Sequence, residues 1–401
     1  MLLPLSAKTA AGTRLVELAE RHATAFATRA AAHDRDGSYP FASLAALRAT
    51  AYLAAPVPEE HGGLGVASIH DVLVASSRLA RGDASVAIGV NMHLTATIQM
   101  ARRWSMVVAS GNERRAAAFG ASLAAIGRDE VVMAAAISER GQDLTRPGTR
   151  ATRTAGGWRI DGGKVFCTMS PAATVLYTAV GYVDDEGVER YGYAMVPAGT
   201  PGLTVNDDWD ALGMRASGSH SVSFDGAEIP ASALRGGFRA GDPVPYMERN
   251  LDAGLFHAAA SLGIAESADE ASRARPSADA RSRMLVAENA IELAAARAVL
   301  SRAASALDEH VAANPATLGT REEIVALFTG AQAAKAFVNE AAARVVDRAL
   351  ALSGGAGYLN GHPLGRAYRD VRAGSFMHPL GANRAYDFVA RAALGLEPEL
   401  H

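Results

Sequence analysis

A region that favours β-strands opens with Val131-Val132-Met133-Ala134-Ala135-Ala136-Ile137. It continues through Trp158-Arg159-Ile160-Asp161-Gly162-Gly163-Lys164-Val165-Phe166-Cys167-Thr168 to Val222-Ser223-Phe224-Asp225-Gly226-Ala227-Glu228-Ile229-Pro230. In the last two segments apolar and polar residues alternate, and glycine or proline closes the runs. Such alternation is typical of strands with one buried face, and the closing residues are typical of turns. We therefore predict that residues 131–235 form a β domain.

Two long arms with helical periodicity flank this region. In the first arm, residues 1–130, apolar residues recur at helical spacing from Leu15 to Phe26, and Asp83 is placed to cap a later helix. The second arm, residues 236–401, contains four helical runs, which are enough for a bundle. These runs lie at 246–274, 279–313, 320–353 and 381–395. The sequence therefore predicts a mainly α-helical protein with a central β domain.

The composition excludes several classes of protein. The chain has 401 residues, of which 49% are hydrophobic, and a net charge of -3, so it can bury a large core but offers no basic field to nucleic acid. Its one cysteine, Cys167, excludes an internal disulfide and a multi-cysteine metal site, and the histidines lack metal-ligand spacing. From the cysteine and histidine patterns we expect no metal. The chain has no apolar run of about 18 residues and no signal-like start, so we expect a cytoplasmic protein without a membrane span.

Several separated segments resemble the acyl-CoA dehydrogenase family. Ile137-Ser138-Glu139, Lys164-Val165-Phe166-Cys167-Thr168 and Leu212-Gly213-Met214-Arg215-Ala216-Ser217 are similar to parts of its middle domain. Ser353-Gly354-Gly355-Ala356-Gly357-Tyr358 and Arg369-Asp370 resemble its last helical hairpin. The resemblance implies an N-terminal helical domain (1–130), a middle β-barrel-like domain (131–235) and a C-terminal four-helix bundle (236–401). It also implies a homodimer or a homotetramer.

The same resemblance implies a flavin between the middle domain and the bundle. Ser138 and Thr168 would bond the edge of the isoalloxazine ring, and Phe166 would cover its face. These residue types suit a flavin, which is apolar on its faces and hydrogen-bonding along its edge. The Gly354-Gly355 turn would let the backbone approach the phosphate or ribityl region closely.

The resemblance favours FAD over FMN, although one FAD-binding segment of the family is replaced. Relatives carry an Arg-x-x-Phe-Gly segment where this chain reads Ala274-Arg275-Pro276-Ser277-Ala278-Asp279-Ala280-Arg281-Ser282-Arg283. Arg275 or Arg281 would then have to supply the positive charge that meets the cofactor.

The residue that removes a proton from the substrate departs from the family pattern. Dehydrogenation of an acyl thioester needs a carboxylate to remove the α proton while the flavin accepts the β hydride. His378 stands in the usual glutamate position, within Arg372-Ala373-Gly374-Ser375-Phe376-Met377-His378-Pro379-Leu380. In some branches the base lies at the start of the C-terminal arm, which here reads Tyr246-Met247-Glu248-Arg249-Asn250-Leu251. Glu248 would then be the base, and Arg249 would bind the substrate.

Three functions remain open at this stage. The first, which is the function that we predict, is α,β-dehydrogenation of an acyl thioester on CoA or on a carrier protein, with an electron-transfer partner; the other two are alternatives. The second is a two-component monooxygenase of the same fold, supplied with reduced flavin by a reductase. In that enzyme His378 would assist, because histidine exchanges protons near neutrality. The third is a flavin-binding protein without catalysis.

Overall fold

Five α-helices form the N-terminal layer in the part of the chain that the structure describes. The computed structural model describes residues 4–141, 143–273 and 279–400. The five helices are α1 (Ala10–Asp36), α2 (Phe41–Ala49), α3 (Ile69–Gly82), α4 (Ala84–Ala109) and α5 (Glu113–Gly127). Asp83 separates α3 from α4, and its carboxylate accepts the backbone N–H groups of Ser85 and Val86 at 3.0 and 3.2 Å. The predicted N-cap is confirmed, because this carboxylate pairs N–H groups that the helix itself leaves open.

The described residues in the middle of the chain form one eight-stranded sheet. Its strands are β1 (Met133–Ala136), β2 (Arg150–Arg153), β3 (Gly157–Cys167), β4 (Val175–Val183), β5 (Glu189–Pro197), β6 (Leu203–Val205), β7 (His220–Pro230) and β8 (Leu234–Arg239). The strand order is β6-β7-β3-β2-β4-β5-β8, and β1 pairs with β4 in parallel. Trp158, Ile160 and Cys167 of β3 are buried together in the core of this sheet.

The C-terminal part contains six α-helices within the described residues. They are α6 (Val244–Arg249), α7 (Ala253–Ser272), α8 (Ala280–Ala313), α9 (Arg321–Ser353), α10 (Pro363–Asp370) and α11 (Ala382–Ala393). Helix α7 packs directly on α3 of the N-terminal layer. A Cβ added to Gly263 would lie 2.1 Å from the carbonyl oxygen of Ser77, so a residue larger than glycine would separate these two helices. One continuous core therefore joins the two helical parts.

Two details of the predicted helices were wrong. The run at 246–274 is not one helix, because residues 250–252 interrupt it. Gln99 of α4 donates a hydrogen bond to the Arg249 carbonyl and another, of 2.9 Å, to Asp252 Oδ1, which stabilises the interruption. In addition, a helix that the periodicity did not predict, α10, begins at Pro363, a residue well suited to the first turn.

No helix in the described ranges is long and apolar enough to cross a membrane.

Candidate active site

A cavity of about 340 Å³ lies between the sheet and the C-terminal helices. Four residues singled out in the sequence line it: Ser138, Phe166, Thr168 and His378. They come from three separate segments of the chain, which the fold brings to one place. We call this space the His378 cavity.

A buried ion pair fixes the segment that carries Ser138. The Lys164 ammonium lies 2.5 Å from Glu139 Oε1 and donates to the Ile137 carbonyl at 3.4 Å. The backbone N–H of Val165 donates to the Ser138 carbonyl at 2.9 Å. Burial lowers the pKa of Lys164, and the neighbouring Glu139 opposes that shift. Lys164 thus holds the chain after β1 against the end of β3.

Hydroxyl groups line one wall of the cavity. Thr168 Oγ1 and Ser219 Oγ are 2.9 Å apart, and Ser219 Oγ lies 2.7 Å from Ser217 Oγ. Two phenylalanines of the lining are exposed: Phe166 keeps 64% of its accessible surface and Phe376 keeps 80%. Hydroxyls beside open aromatic rings fit a flavin, whose edge forms hydrogen bonds and whose faces are apolar.

Three non-glycine residues around the cavity have a backbone conformation that is energetically unfavourable for them. Phe166, Met169 and Met214 have positive φ angles of 56°, 68° and 52°. A non-glycine residue in this left-handed region costs on the order of 1–3 kcal/mol, and such residues cluster at functional sites. Phe166 and Met214 both line the cavity, so this backbone strain is located at the cavity itself, where the segments that resemble the family come together.

Two motifs noted in the sequence contact each other at this cavity. The Asp370 carboxylate accepts the N–H of Met214 at 2.6 Å, and Arg369 donates to the Leu212 carbonyl at 3.1 Å. A Cβ on Gly213 would lie 2.4 Å from the Arg369 carbonyl carbon, so only glycine allows this approach. Burial raises the pKa of Asp370 to about 6. The Arg369-Asp370 motif therefore ties one cavity wall to the helical bundle.

His378 is held in a defined orientation. Its Nε2 lies 3.1 Å from Asn250 Oδ1 and 3.0 Å from the Tyr246 hydroxyl. The Asn250 amide donates to the Tyr246 carbonyl at 2.8 Å, which turns its oxygen toward the imidazole. Because that oxygen can only accept, Nε2 carries the proton and Nδ1 remains an acceptor. Burial, with Lys335 and Arg384 nearby, lowers the pKa of His378 to about 3, so the ring is neutral.

Lys335 supports the segment that carries His378. Its ammonium donates to the carbonyls of Met377, His378 at 3.3 Å and Leu380 at 2.7 Å. Burial lowers the pKa of Lys335 to about 7. Sequence reasoning did not single out this residue, although one signal was available: the chain has only three lysines, and arginine serves as its cation almost everywhere else.

The structure does not bring Glu248 or Arg249 into the His378 cavity. Both lie on the short helix α6 rather than in the first turn of the long helix α7. The Glu248 carboxylate pairs with Arg103 and lines a separate cavity of about 670 Å³. Arg249 lines a third cavity, of about 620 Å³.

Gly354 and Gly355 also lie away from the His378 cavity. Gly354 follows the end of α9 with a φ of 59°, and a Cβ added to either glycine would meet no atom of the described chain within 4 Å. Arg281 is exposed near the start of α8 and does not line the cavity, and Arg275 lies outside the described residues.

Among the described residues, no carboxylate lines the His378 cavity. Its ionisable groups are Arg369, Arg372, His257 and His378. Burial lowers the pKa of His257 well below its ordinary value, so this ring is also neutral. Arg369 is paired with the Asp34 carboxylate, whereas Arg372 has no carboxylate partner within the described residues, so the cavity is a neutral-to-positive environment.

Comparison with family models covers most of the chain. The N-terminal, middle and C-terminal domain models of acyl-CoA dehydrogenase match residues 13–124, 133–227 and 252–383. The chain belongs to the acyl-CoA dehydrogenase family. The resemblance and the fold predicted from the sequence are confirmed. This is a family of flavin-dependent oxidoreductases.

Relatives within the acyl-CoA dehydrogenase family include enzymes of different chemistry. The amino sugar nitrososynthase DnmZ of Streptomyces peucetius is 34% identical, over 97% of this chain and 95% of its own. An acyl-CoA dehydrogenase of Bacillus subtilis is 28% identical, over 84% and 86%. The solved structure of KijD3 in complex with FMN and dTDP-3-amino-2,3,6-trideoxy-4-keto-3-methyl-D-glucose is 32% identical. It covers 99% of this chain and 97% of its own, with a TM-score of 0.89.

Proposed function

We propose that this protein is a flavin-dependent monooxygenase that oxidises the amino nitrogen of a nucleotide-linked amino sugar. The observation that carries the proposal is the His378 cavity, which combines a neutral histidine with cations and, among the described residues, no carboxylate. The amino sugar nitrososynthases supply the substrate class, since they match this chain over nearly its full length.

The cavity does not suit removal of an α proton from an acyl thioester. That reaction needs a carboxylate in contact with the substrate. Glu248 pairs with Arg103 and lines a different cavity. His378 would be a weak base, because its pKa is lowered to about 3.

The same environment suits an amine that must react through its lone pair. Burial and nearby cations both disfavour an ammonium, so a primary amine bound here would be held in its neutral form. His378 Nδ1 can accept an N–H of that amine and so orient it. Lys335 and Asn250 keep His378 in place for this role.

The residues of the cavity fit FMN, and we propose FMN rather than FAD as the cofactor. Phe166 and Phe376 would cover the ring, while Thr168 and Ser138 would bond its edge. Arg372, whose guanidinium lies 4.8 Å from the Tyr368 ring centroid, would meet the phosphate. FMN, if supplied in its reduced form by a separate reductase, would contribute the two electrons that O₂ needs, so that one oxygen atom would enter the substrate amine and the other would leave as water. Assembly into a homodimer or a homotetramer remains a prediction.

Two reactions with the same purified protein test this function. In the first, the protein holding oxidised FMN is mixed anaerobically with a panel of acyl-CoA thioesters, and we expect no loss of flavin colour. In the second, a flavin reductase, NADH, air and a dTDP-linked 3-amino sugar are supplied, and mass spectrometry should detect a product with one added oxygen. Bleaching of the flavin by an acyl-CoA in the first reaction would support the dehydrogenase instead. The absence of both bleaching and an oxygenated product would favour a non-catalytic flavin-binding protein.

A further inference from the structure

The third cavity, of about 620 Å³, is rich in arginine. It lies between α4, α5 and the strands β4, β5 and β8, and we call it the arginine cavity. Four guanidinium groups line it: Arg103, Arg115, Arg235 and Arg249. No carboxylate belongs to its lining within the described residues, and of the four arginines only Arg103 has a carboxylate partner there, Glu248. The cavity therefore carries a positive charge that the described chain does not neutralise.

Aromatic rings form the walls around these arginines. The rings of Tyr177 and Tyr193 are stacked, with centroids 5.0 Å apart and planes within 4°. The Arg249 guanidinium lies 4.9 Å from the Tyr193 centroid and 5.1 Å from that of Phe238. Its Nε is buried and has no hydrogen-bond partner in the described part of the chain. Burial raises the pKa of both tyrosines, so neither hydroxyl offsets the charge.

This combination matches the chemistry of a nucleoside diphosphate. Guanidinium groups bind phosphate oxygens through two parallel hydrogen bonds and also stack on planar rings. Aromatic walls provide surfaces on which a base can stack. A purely apolar ligand would leave several cations without a partner, which is costly in a partly buried site.

The arginine cavity adjoins the His378 cavity along two parts of the chain. On α4, Met92 lines the His378 cavity and Ala96 lines the arginine cavity, and four helical residues span about 6 Å. At the C-terminal end of α6, Arg249 lines the arginine cavity, while the next residue, Asn250, contacts His378. Gln99 fixes this segment by bonding the Arg249 carbonyl.

We propose that the arginine cavity binds the nucleoside diphosphate portion of the substrate and so directs the amino sugar into the His378 cavity. This assignment rests on the proposed function and names the part of the enzyme that selects a nucleotide-linked sugar over a free one. It also gives Arg249 a substrate-binding role, through phosphate rather than through a thioester.

A double variant with a matched control tests the assignment. Arg115→Gln with Arg235→Gln removes two exposed cavity cations, whereas Arg114→Gln with Arg239→Gln removes two exposed cations outside the lining, on the same helix and strand. Calorimetry would measure dTDP binding to each protein with FMN present. We expect the cavity variant to bind dTDP at least about ten-fold more weakly and the control to match the wild type. In turnover with a dTDP-linked amino sugar, the cavity variant should raise KM more than it lowers kcat.

Three results would overturn the assignment. They are equal dTDP binding by the cavity variant and the wild type, equal losses in the two double variants, and binding of ADP or CoA but not dTDP. The last result would indicate that the cavity binds FAD or a CoA thioester. If the amino sugar is oxidised with an unchanged KM in the cavity variant, the assignment fails while the proposed function stands. If dTDP binds at this cavity but no amine is oxidised, the assignment stands and the proposed function fails.

Discussion

Asn250 Oδ1 lies 3.1 Å from Nε2 of His378, and the Asn250 amide nitrogen is bound to the Tyr246 carbonyl. This contact selects the tautomer of His378, because an amide oxygen must meet a protonated nitrogen. Nδ1 is then the ring nitrogen that can accept a hydrogen bond. The segment after α6 therefore sets the tautomer of a residue 128 positions away.

Asn250→Asp should make amine oxidation sensitive to acid. A carboxylate beside Nε2 stabilises the imidazolium and raises the pKa of His378 from its lowered value of about 3. Activity should then fall as pH drops through the raised pKa, since the protonated ring cannot accept an N–H at Nδ1. The pH profile of kcat measures this effect. Asn112→Asp, at the N-cap of α5, is the control and should keep the wild-type profile.

Lys335→Met should destabilise the protein and misplace His378. The substitution leaves three backbone carbonyls without their donor, and each unpaired buried group costs about 1–3 kcal/mol. We expect the free energy of unfolding in urea to fall by roughly 3 kcal/mol. Lys8→Met changes an exposed lysine and should alter stability by less than about 0.5 kcal/mol. Equal stability of the two variants would contradict the supporting role of Lys335.

Phe166→Ala should weaken flavin binding without destabilising the fold. The ring is largely exposed, so its removal uncovers little core. Loss of stacking on one flavin face should raise the Kd for FMN about ten-fold, as measured by quenching of FMN fluorescence. Tyr358→Ala removes an even more exposed ring that does not line the His378 cavity, and it should leave the Kd unchanged.

Asp370→Asn should make the free energy of unfolding depend less on pH. Burial raises the pKa of Asp370 from 3.8 to about 6, so between these values the folded protein binds more protons than the unfolded chain. The stability that this group contributes is therefore present at low pH and is lost as pH rises through about 6. At neutral pH the variant should be more stable than the wild type by about 2–3 kcal/mol. Asp387→Asn, at an exposed site, should retain the wild-type slope.

Local sequence patterns predicted the fold and much of the cavity. Strand alternation and helical periodicity located the sheet and the helices, because both report one buried face of a single element. Ser138, Phe166, Thr168 and His378 were singled out through the resemblance of short segments to the acyl-CoA dehydrogenase family, and the structure places all four around one space.

The remaining features depend on contacts between distant segments. Glu248 was assigned to the start of a long helix, but Gln99 captures the Arg249 carbonyl and the helix restarts at Ala253. The Arg369-Asp370 motif suggested the family, yet its contact with the loop at 212–214 became visible only in three dimensions. The four arginines of the arginine cavity come from four different elements, α4, α5, β8 and α6, and no single sequence motif contains them.

Oxygen transfer to the amine is the most direct test of the central claim. The wild type and His378→Gln would be supplied with a flavin reductase, NADH, a dTDP-linked amino sugar and isotopically labelled O₂. The wild type should give a product whose nitrogen carries one labelled oxygen, and His378→Gln should form it about a hundred-fold more slowly while still binding FMN. A wild-type reaction in which the sugar nitrogen gains no labelled oxygen would contradict the proposed function.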